Sequence, residues 1–309
     1  MKILITGGTG FIGSQLVQRL SAAGHQLYVL LHQKKQDTIN TANITYISST
    51  DALLPDSLIT GLDSIINLAG YNIGADFRWN KTIKTAILNS RISCTNLLVS
   101  SLAHCKEQGK PIPKLLINAS AAGYYGTNPT ELLTETSPAG KGFLASVCLQ
   151  WEAAAAKAQI LGVNVVILRL GIVLGPGGGV LEKMSLPFRL GLGGIIGSGA
   201  QWVPWIHRDD LINLIEEATN GNMRGVYNAT APHSSTMQNF GNTLGQALGR
   251  TCWTKMPSWL ARILFGEMAE ELLLCSQQVF PQALLARNFT YRYPDLESAL
   301  RQIYSAVHH

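Results

Sequence analysis

Apolar runs of strand length alternate with helical stretches through the first half of the chain. Residues 2–5, 26–31, 44–47, 64–68, 114–118 and 163–168 read as strands, short and nearly continuous in apolar side chains. Between them the apolar period changes. Ile12, Leu16, Val17 and Leu20 share one helical face, as do Ile83, Ile87 and Leu88. Strands apolar on both faces and separated by helices predict a parallel sheet covered on both sides. Right-handed crossovers then make the fold class α/β, a Rossmann-type doubly wound sheet.

After residue 168 the texture changes. Gly175-Pro176-Gly177-Gly178-Gly179 is a turn, and Gly191, Gly193, Gly194, Gly197 and Gly199 make the next stretch loop-rich. Asp209 or Asp210 is placed to cap a helix running to Ala218, residues 226–229 read as a short strand, and the chain is mostly helical from Gln238. The expected division is a dinucleotide-binding domain over 1–168, to which later segments return, and a smaller, mostly helical lobe over 169–309 on the substrate side.

Composition narrows the class. The 309 residues are 46% hydrophobic and 14% charged, fewer charges than the average of about 25%. That leaves apolar surface for a subunit interface, a buried ligand or a large core, and both monomer and homodimer stay open. The net charge of +5 is scattered without a basic run, which suits phosphate-bearing small molecules and argues against nucleic acid. Five cysteines (94, 105, 148, 252, 275) contain no CxxC pair, which points to a reducing compartment and away from a disulfide framework or zinc. Asp, Glu and His are too dispersed for a metal site. No apolar run reaches 18 residues, and the opening run breaks at Gly7-Gly8, so the expectation is a cytoplasmic protein without a membrane segment.

The chemistry begins at Thr6-Gly7-Gly8-Thr9-Gly10-Phe11-Ile12-Gly13, between the first strand and the first helix. Glycines there permit a tight turn and close approach of a pyrophosphate, and the helix N-terminus offers free N–H groups. The second strand runs into His32-Gln33-Lys34-Lys35, with no carboxylate before Asp37. An acid there would hold a ribose 2′-hydroxyl and repel a 2′-phosphate, so its absence predicts NADP(H) over NAD(H). Leu68, Ala69 and Gly70 end the fourth strand and Ala119 the fifth, at the edge where such folds hold ligands.

The segments TGGTGFIG, INLAG, SAAGYYG, FLASVCLQWE, RLGIVLGPGGG, WIHRDDL, YNATAP and FPQALLARNFTYRYPDLESAL together resemble the extended and atypical short-chain dehydrogenase/reductase superfamily. They are similar to its epimerase-family, nucleoside-diphosphate-sugar-epimerase-like branch, which carries its own C-terminal helical segment. The resemblance spans essentially the whole chain. It implies that Gly7, Gly10 and Gly13, with Thr9, Phe11 and Ile12, form the pyrophosphate loop. It implies that Leu68, Ala69 and Gly70 line the adenine-ribose side, that Arg91 faces the cleft and that Ser120 is the substrate-side serine. His32 stands where the branch often has Arg. If Glu152 matches the Glu that often follows the superfamily's Tyr-x-x-x-Lys, then Leu144 and Cys148 occupy the Tyr and Lys positions.

A proton donor must then come from elsewhere. Tyr124 and Tyr125 follow Ser120 at the carboxyl edge of the sheet; either is a candidate acid/base, and either is equally suited to packing a hinge. Arg169 interrupts an apolar strand and needs a buried carboxylate or anion. Trp202 and His207 are candidates for the substrate side, His207 also for a structural clamp. Two functions remain: an NADP-dependent oxidoreductase or sugar-nucleotide-type epimerase on an unnamed small substrate, or a non-catalytic NADP(H) sensor.

Overall fold

The computed structural model describes residues 1–31, 41–48 and 52–305. Seven strands, β1 (Lys2–Thr6), β2 (Gln26–Leu31), β3 (Ile44–Ser48), β4 (Ser64–Asn67), β5 (Leu115–Ala121), β6 (Asn164–Leu170) and β7 (Gly225–Ala229), form one sheet. Its order is β7-β6-β5-β4-β1-β2-β3, and every neighbouring pair is parallel. The strand order reverses between β1 and β4, which opens a crevice beyond their carboxyl ends.

The longer helices are α1 (Gly13–Ala22), α2 (Lys81–Glu107), α3 (Phe143–Ala156), α4 (Gly179–Arg189), α5 (Arg208–Thr219), α6 (Met237–Ala247) and α7 (Leu296–Ser305). One sheet face packs Ile3, Ile5 and Val29 against Leu16 and Leu20 of α1 and Leu211 and Ile215 of α5. The other packs Leu4, Ile65 and Leu116 against Leu98 and Leu102 of α2 and Ala155 of α3. Both faces are buried, so the strands carry apolar residues at successive positions. A third cluster, including Phe188 of α4, Trp205, Phe240 and Leu244 of α6, and Leu300 and Ile303 of α7, packs these helices together.

Two features differ from the pattern-based expectation. β5 and β6 do not stop at residues 118 and 168; they continue to Ala121 and Leu170, with Ser120 opposite Arg169. Polar residues are tolerated there because a buried carboxylate serves both, as described below. The chain from Gln238 onward is helical as expected, and it adds short strands that the pattern does not indicate. Thr254–Met256 pairs with Gly194–Ile196, and Gln277–Val279 pairs with Asn128–Leu133. Leu284 and Phe289 join the sheet core, so the C-terminal segment is built into the main body.

Candidate functional site: the crevice at the carboxyl edge of the sheet

A chain of buried hydrogen bonds forms the crevice floor. The Thr6 hydroxyl donates to Asn67 Oδ1 (2.6 Å) and accepts from the Ala69 N–H (3.2 Å). Asn67 Nδ2 donates to Asn118 Oδ1 (2.6 Å) and Thr95 Oγ1 (2.9 Å). These bonds hold the backbone of Leu68, Ala69 and Gly70 beside the glycine loop. Gly7 has φ +70°, and a Cβ there would lie 2.6 Å from the Leu68 carbonyl oxygen. A Cβ on Gly13 would run into the Gly7 carbonyl oxygen. The loop therefore folds flat against β4 only with glycine at both positions. No side chain caps the start of α1, and its first turn carries no acid; the residues leading into it, Thr9 and Gly10, are exposed, and Phe11 and Ile12 are half-buried. Ala119 is buried beneath the crevice. His32 and Lys34 lie outside the described residues.

The start of α3 is closed to anions. The Glu271 carboxylate accepts from the Phe143 and Leu144 N–H groups (2.9 and 3.0 Å), filling the position a phosphate would take. Further along α3, the Cys148 thiol is buried, and burial pushes its pKa up to about 11. It stays a neutral, apolar group. Arg91 of α2 occupies this flank instead. Its guanidinium lies across Gly70, where a Cβ would be 3.0 Å from Cζ, and 5.2 Å from the Trp151 ring centroid. It donates to the carbonyls of Ile87 (2.9 Å) and Tyr71 (3.2 Å). Burial lowers its pKa.

Ser120, Tyr124, Tyr125 and Arg169 are brought together around Glu152. Arg169, 3% exposed, grips Glu152 through Nε–Oε1 and Nη2–Oε2, both 2.9 Å. The Ser120 hydroxyl donates to the same Oε1 at 2.6 Å. Arg169 Nη1 donates to the Tyr125 hydroxyl (3.0 Å), which donates to Asn228 Oδ1 (2.6 Å) and lies 2.9 Å from the Thr134 carbonyl oxygen. Burial opposes the Arg169 charge, but the bonds to Glu152 and Tyr125 prevail and its pKa lies above the ordinary arginine value. Burial likewise raises Tyr125. Tyr125 is thus buried with its hydroxyl occupied, whereas Tyr124 is half-buried, its ring stacked 3.4 Å from Arg169 Cζ. Of these partners, only the need of Arg169 for an anion was legible locally; Asn228 carried no such signal.

His207, a sequence candidate for the substrate side, has no exposed surface. Its Nδ1 accepts from the Asp209 N–H (3.1 Å), capping α5, so the proton sits on Nε2 and is donated to Gln302 Oε1 (3.0 Å). Asp210, expected as a possible cap, instead accepts from the N–H groups of Arg292 and Tyr293 (2.7 and 3.0 Å). The WIHRDD segment clasps the C-terminal segment. Trp202 remains half-buried, its backbone N–H bonded to Ser276 Oγ at 3.1 Å. Among the described residues, no three His, Cys, Asp or Glu side chains are grouped to hold a metal ion. No helix there is long and apolar enough to cross a membrane.

Residues 3–229 match the model of the NAD dependent epimerase/dehydratase family, and residues 256–303 match a domain of unknown function, DUF1731. The epimerase family protein SDR39U1 of Homo sapiens is 39% identical over 308 residues, covering 98% of this chain and 99% of its own length. Its chloroplastic homolog in Arabidopsis thaliana is 39% identical over 306 residues, covering 98% of this chain and 86% of its own. The crystal structure of human SDR39U1 (isoform 2) with NADPH aligns over 99% of both chains at 35% identity, with a TM-score of 0.84.

Proposed function

We propose a function from one premise, that the chain belongs to the NAD dependent epimerase/dehydratase family: it binds NADP(H) in the crevice over β1 and β4 and acts on a small polar substrate. The observation that carries this reading is the glycine loop, where a Cβ on Gly7 or Gly13 would collide with backbone, beside an uncapped α1. That cradle fits a pyrophosphate held by Gly7, Thr9, Gly10, Phe11, Ile12 and Gly13. The human relative crystallised with NADPH supports the phosphorylated dinucleotide, as does the missing carboxylate after β2 in the sequence. Leu68, Ala69 and Gly70 would flank the adenine ribose, with Ala119 beneath and Arg91 supplying positive charge on the flank where Cys148 cannot.

The bound nicotinamide would give or take a hydride. The chain's own task is then the proton. Tyr124 is the acid/base of this reading, because its neighbour Tyr125 is held by Asn228 and Arg169. Ser120, Glu152 and Arg169 position Tyr124, the guanidinium lying against its ring. Oxidoreduction and sugar-nucleotide-type epimerisation both need a proton donor and acceptor placed at the reacting oxygen. Residues 169–309 supply the substrate side, with Trp202 at its wall, and the free cysteines fit a cytoplasmic setting. A second reading, a non-catalytic NADP(H) sensor, is favoured by one observation: the Ser120 and Tyr125 hydroxyls are already spent inside the protein.

Calorimetric titration with NADPH and NADH, then a panel of carbonyl compounds and sugar nucleotides, tests this. Turnover is followed at the nicotinamide absorbance band for redox and by product analysis for epimerisation. Tyr124→Phe should abolish turnover while leaving NADPH affinity within about 1 kcal/mol. Tight NADPH binding without turnover anywhere on the panel selects the sensor. Absence of dinucleotide binding refutes both readings.

A further inference from the structure

Arg208 is a buried cation in an unfavourable position. It is the first residue of α5 and 7% exposed. The helix dipole there repels positive charge. Nη1 donates to the Pro176 carbonyl (3.0 Å), but Nε has no hydrogen-bond partner. Burial lowers its pKa, and the nearby Asp209 charge offsets this only in part. A guanidinium so placed is held at a cost unless an anion meets it.

Its surroundings indicate which anion. The guanidinium lies 4.8 Å from the ring centroid of Phe11, within the glycine loop. Residues 175–179 wrap the same ring. A Cβ on Gly178 or Gly179 would lie 3.0 Å from Phe11, and one on Gly175 would lie 3.1 Å from Arg208 Nε. Arg208 therefore joins two glycine-rich loops, one at the start of α1 and one leading into α4.

We propose that Arg208 is a ligand of the dinucleotide's diphosphate and that it pins the 175–179 loop over the bound cofactor. This rests on the dinucleotide reading above. The Nη2 donors make charge-assisted bonds to a phosphate oxygen, while Nη1 keeps its bond to Pro176 and Nε stays packed beside Gly175. The function stores part of the fold's stability as an uncompensated charge.

Arg208→Met tests this through two readouts of opposite sign. Removing a strained buried cation should leave the melting temperature of the ligand-free protein unchanged or raised. The same change should weaken NADPH, NADH and ADP-ribose each by about tenfold or more and by a common factor, because all three carry the diphosphate. Arg208→Lys keeps the charge but loses the planar fork, and should fall between Met and wild type in affinity for all three. Unchanged affinity with a lowered melting temperature overturns the proposal and makes Arg208 a structural strut. Weakening confined to NADPH also overturns it and assigns the cation to the 2′-phosphate. A wild-type chain that binds none of the three refutes the proposed function and this inference with it, whereas the first two results refute the inference alone.

Discussion

Replacing Arg169 with Met should cost about 3–5 kcal/mol of folding stability. The magnitude follows from what the substitution leaves behind. Glu152 is 9% exposed and accepts three bonds, from Ser120, Arg169 Nε and Arg169 Nη2. Met fills much of the volume of the arginine stem but donates nothing. The carboxylate then keeps one hydroxyl donor and no counter-charge, the situation that makes breaking a buried ion pair expensive. The Tyr125 hydroxyl loses a donor and the Tyr124 ring loses a cation against its face. At about 2 °C per kcal/mol for a chain of this size, the melting temperature falls by roughly 6–10 °C. Urea denaturation followed by circular dichroism measures the free energy, and a constant m-value keeps the comparison valid. Glu152→Gln alone should destabilise through the orphaned guanidinium. In the double variant the two losses should not add, with a coupling of about 2 kcal/mol or more. An Arg169→Met loss below about 1 kcal/mol would equal that of a solvent-exposed pair and refute the claim that a buried ion pair holds β5, β6 and α3 together.

Gly13→Ala should destabilise the fold by about 1–3 kcal/mol and abolish dinucleotide binding, since the added Cβ meets the Gly7 carbonyl oxygen; calorimetry showing wild-type NADPH affinity would contradict the loop geometry. His207 gives a pH dependence. Burial lowers its pKa below the ordinary 6.5 despite Asp209, so the unfolded chain binds a proton that the folded chain resists. Stability is full above about pH 6.5 and declines as pH falls below it, at a rate of up to about 1.4 kcal/mol per pH unit. His207→Asn, which retains an acceptor for the α5 cap, should flatten that decline between pH 7.5 and 5.5; parallel curves for the two proteins would show that His207 is not its source.

Much of the architecture is readable in the sequence. Ile3, Leu4 and Ile5, or Val165, Val166 and Ile167, are apolar in succession because both faces of a parallel sheet are covered. Gly7, Gly10 and Gly13 sit close together in the chain, and the collisions they avoid at Gly7 and Leu68 lie at one end of two adjacent strands. Periodicity and glycine spacing act over ten residues or so, which is why these features appear in the sequence itself. The C-terminal segment was less legible. Leu284 and Phe289 look like an ordinary helical flank until they are seen inside the sheet core.

The polar half of the site followed a different logic. Ser120 meets Glu152 across 32 residues, Tyr125 meets Asn228 across 103, and Glu271 caps α3 across 127. Asp210 clasps Arg292 across 82 residues, and Arg208 reaches Pro176 across 32. A buried polar side chain announces that it needs a partner, as Arg169 did by interrupting an apolar strand, but its residue type does not say which one. The sequence by itself determined the buried parallel sheet and the glycine turn between β1 and α1, because those depend on local period and backbone freedom. Only the tertiary structure decided which charges are paired, which hydroxyls are spent and which cation is left open, because buried hydrogen bonds are matched in space after the chain has folded back on itself.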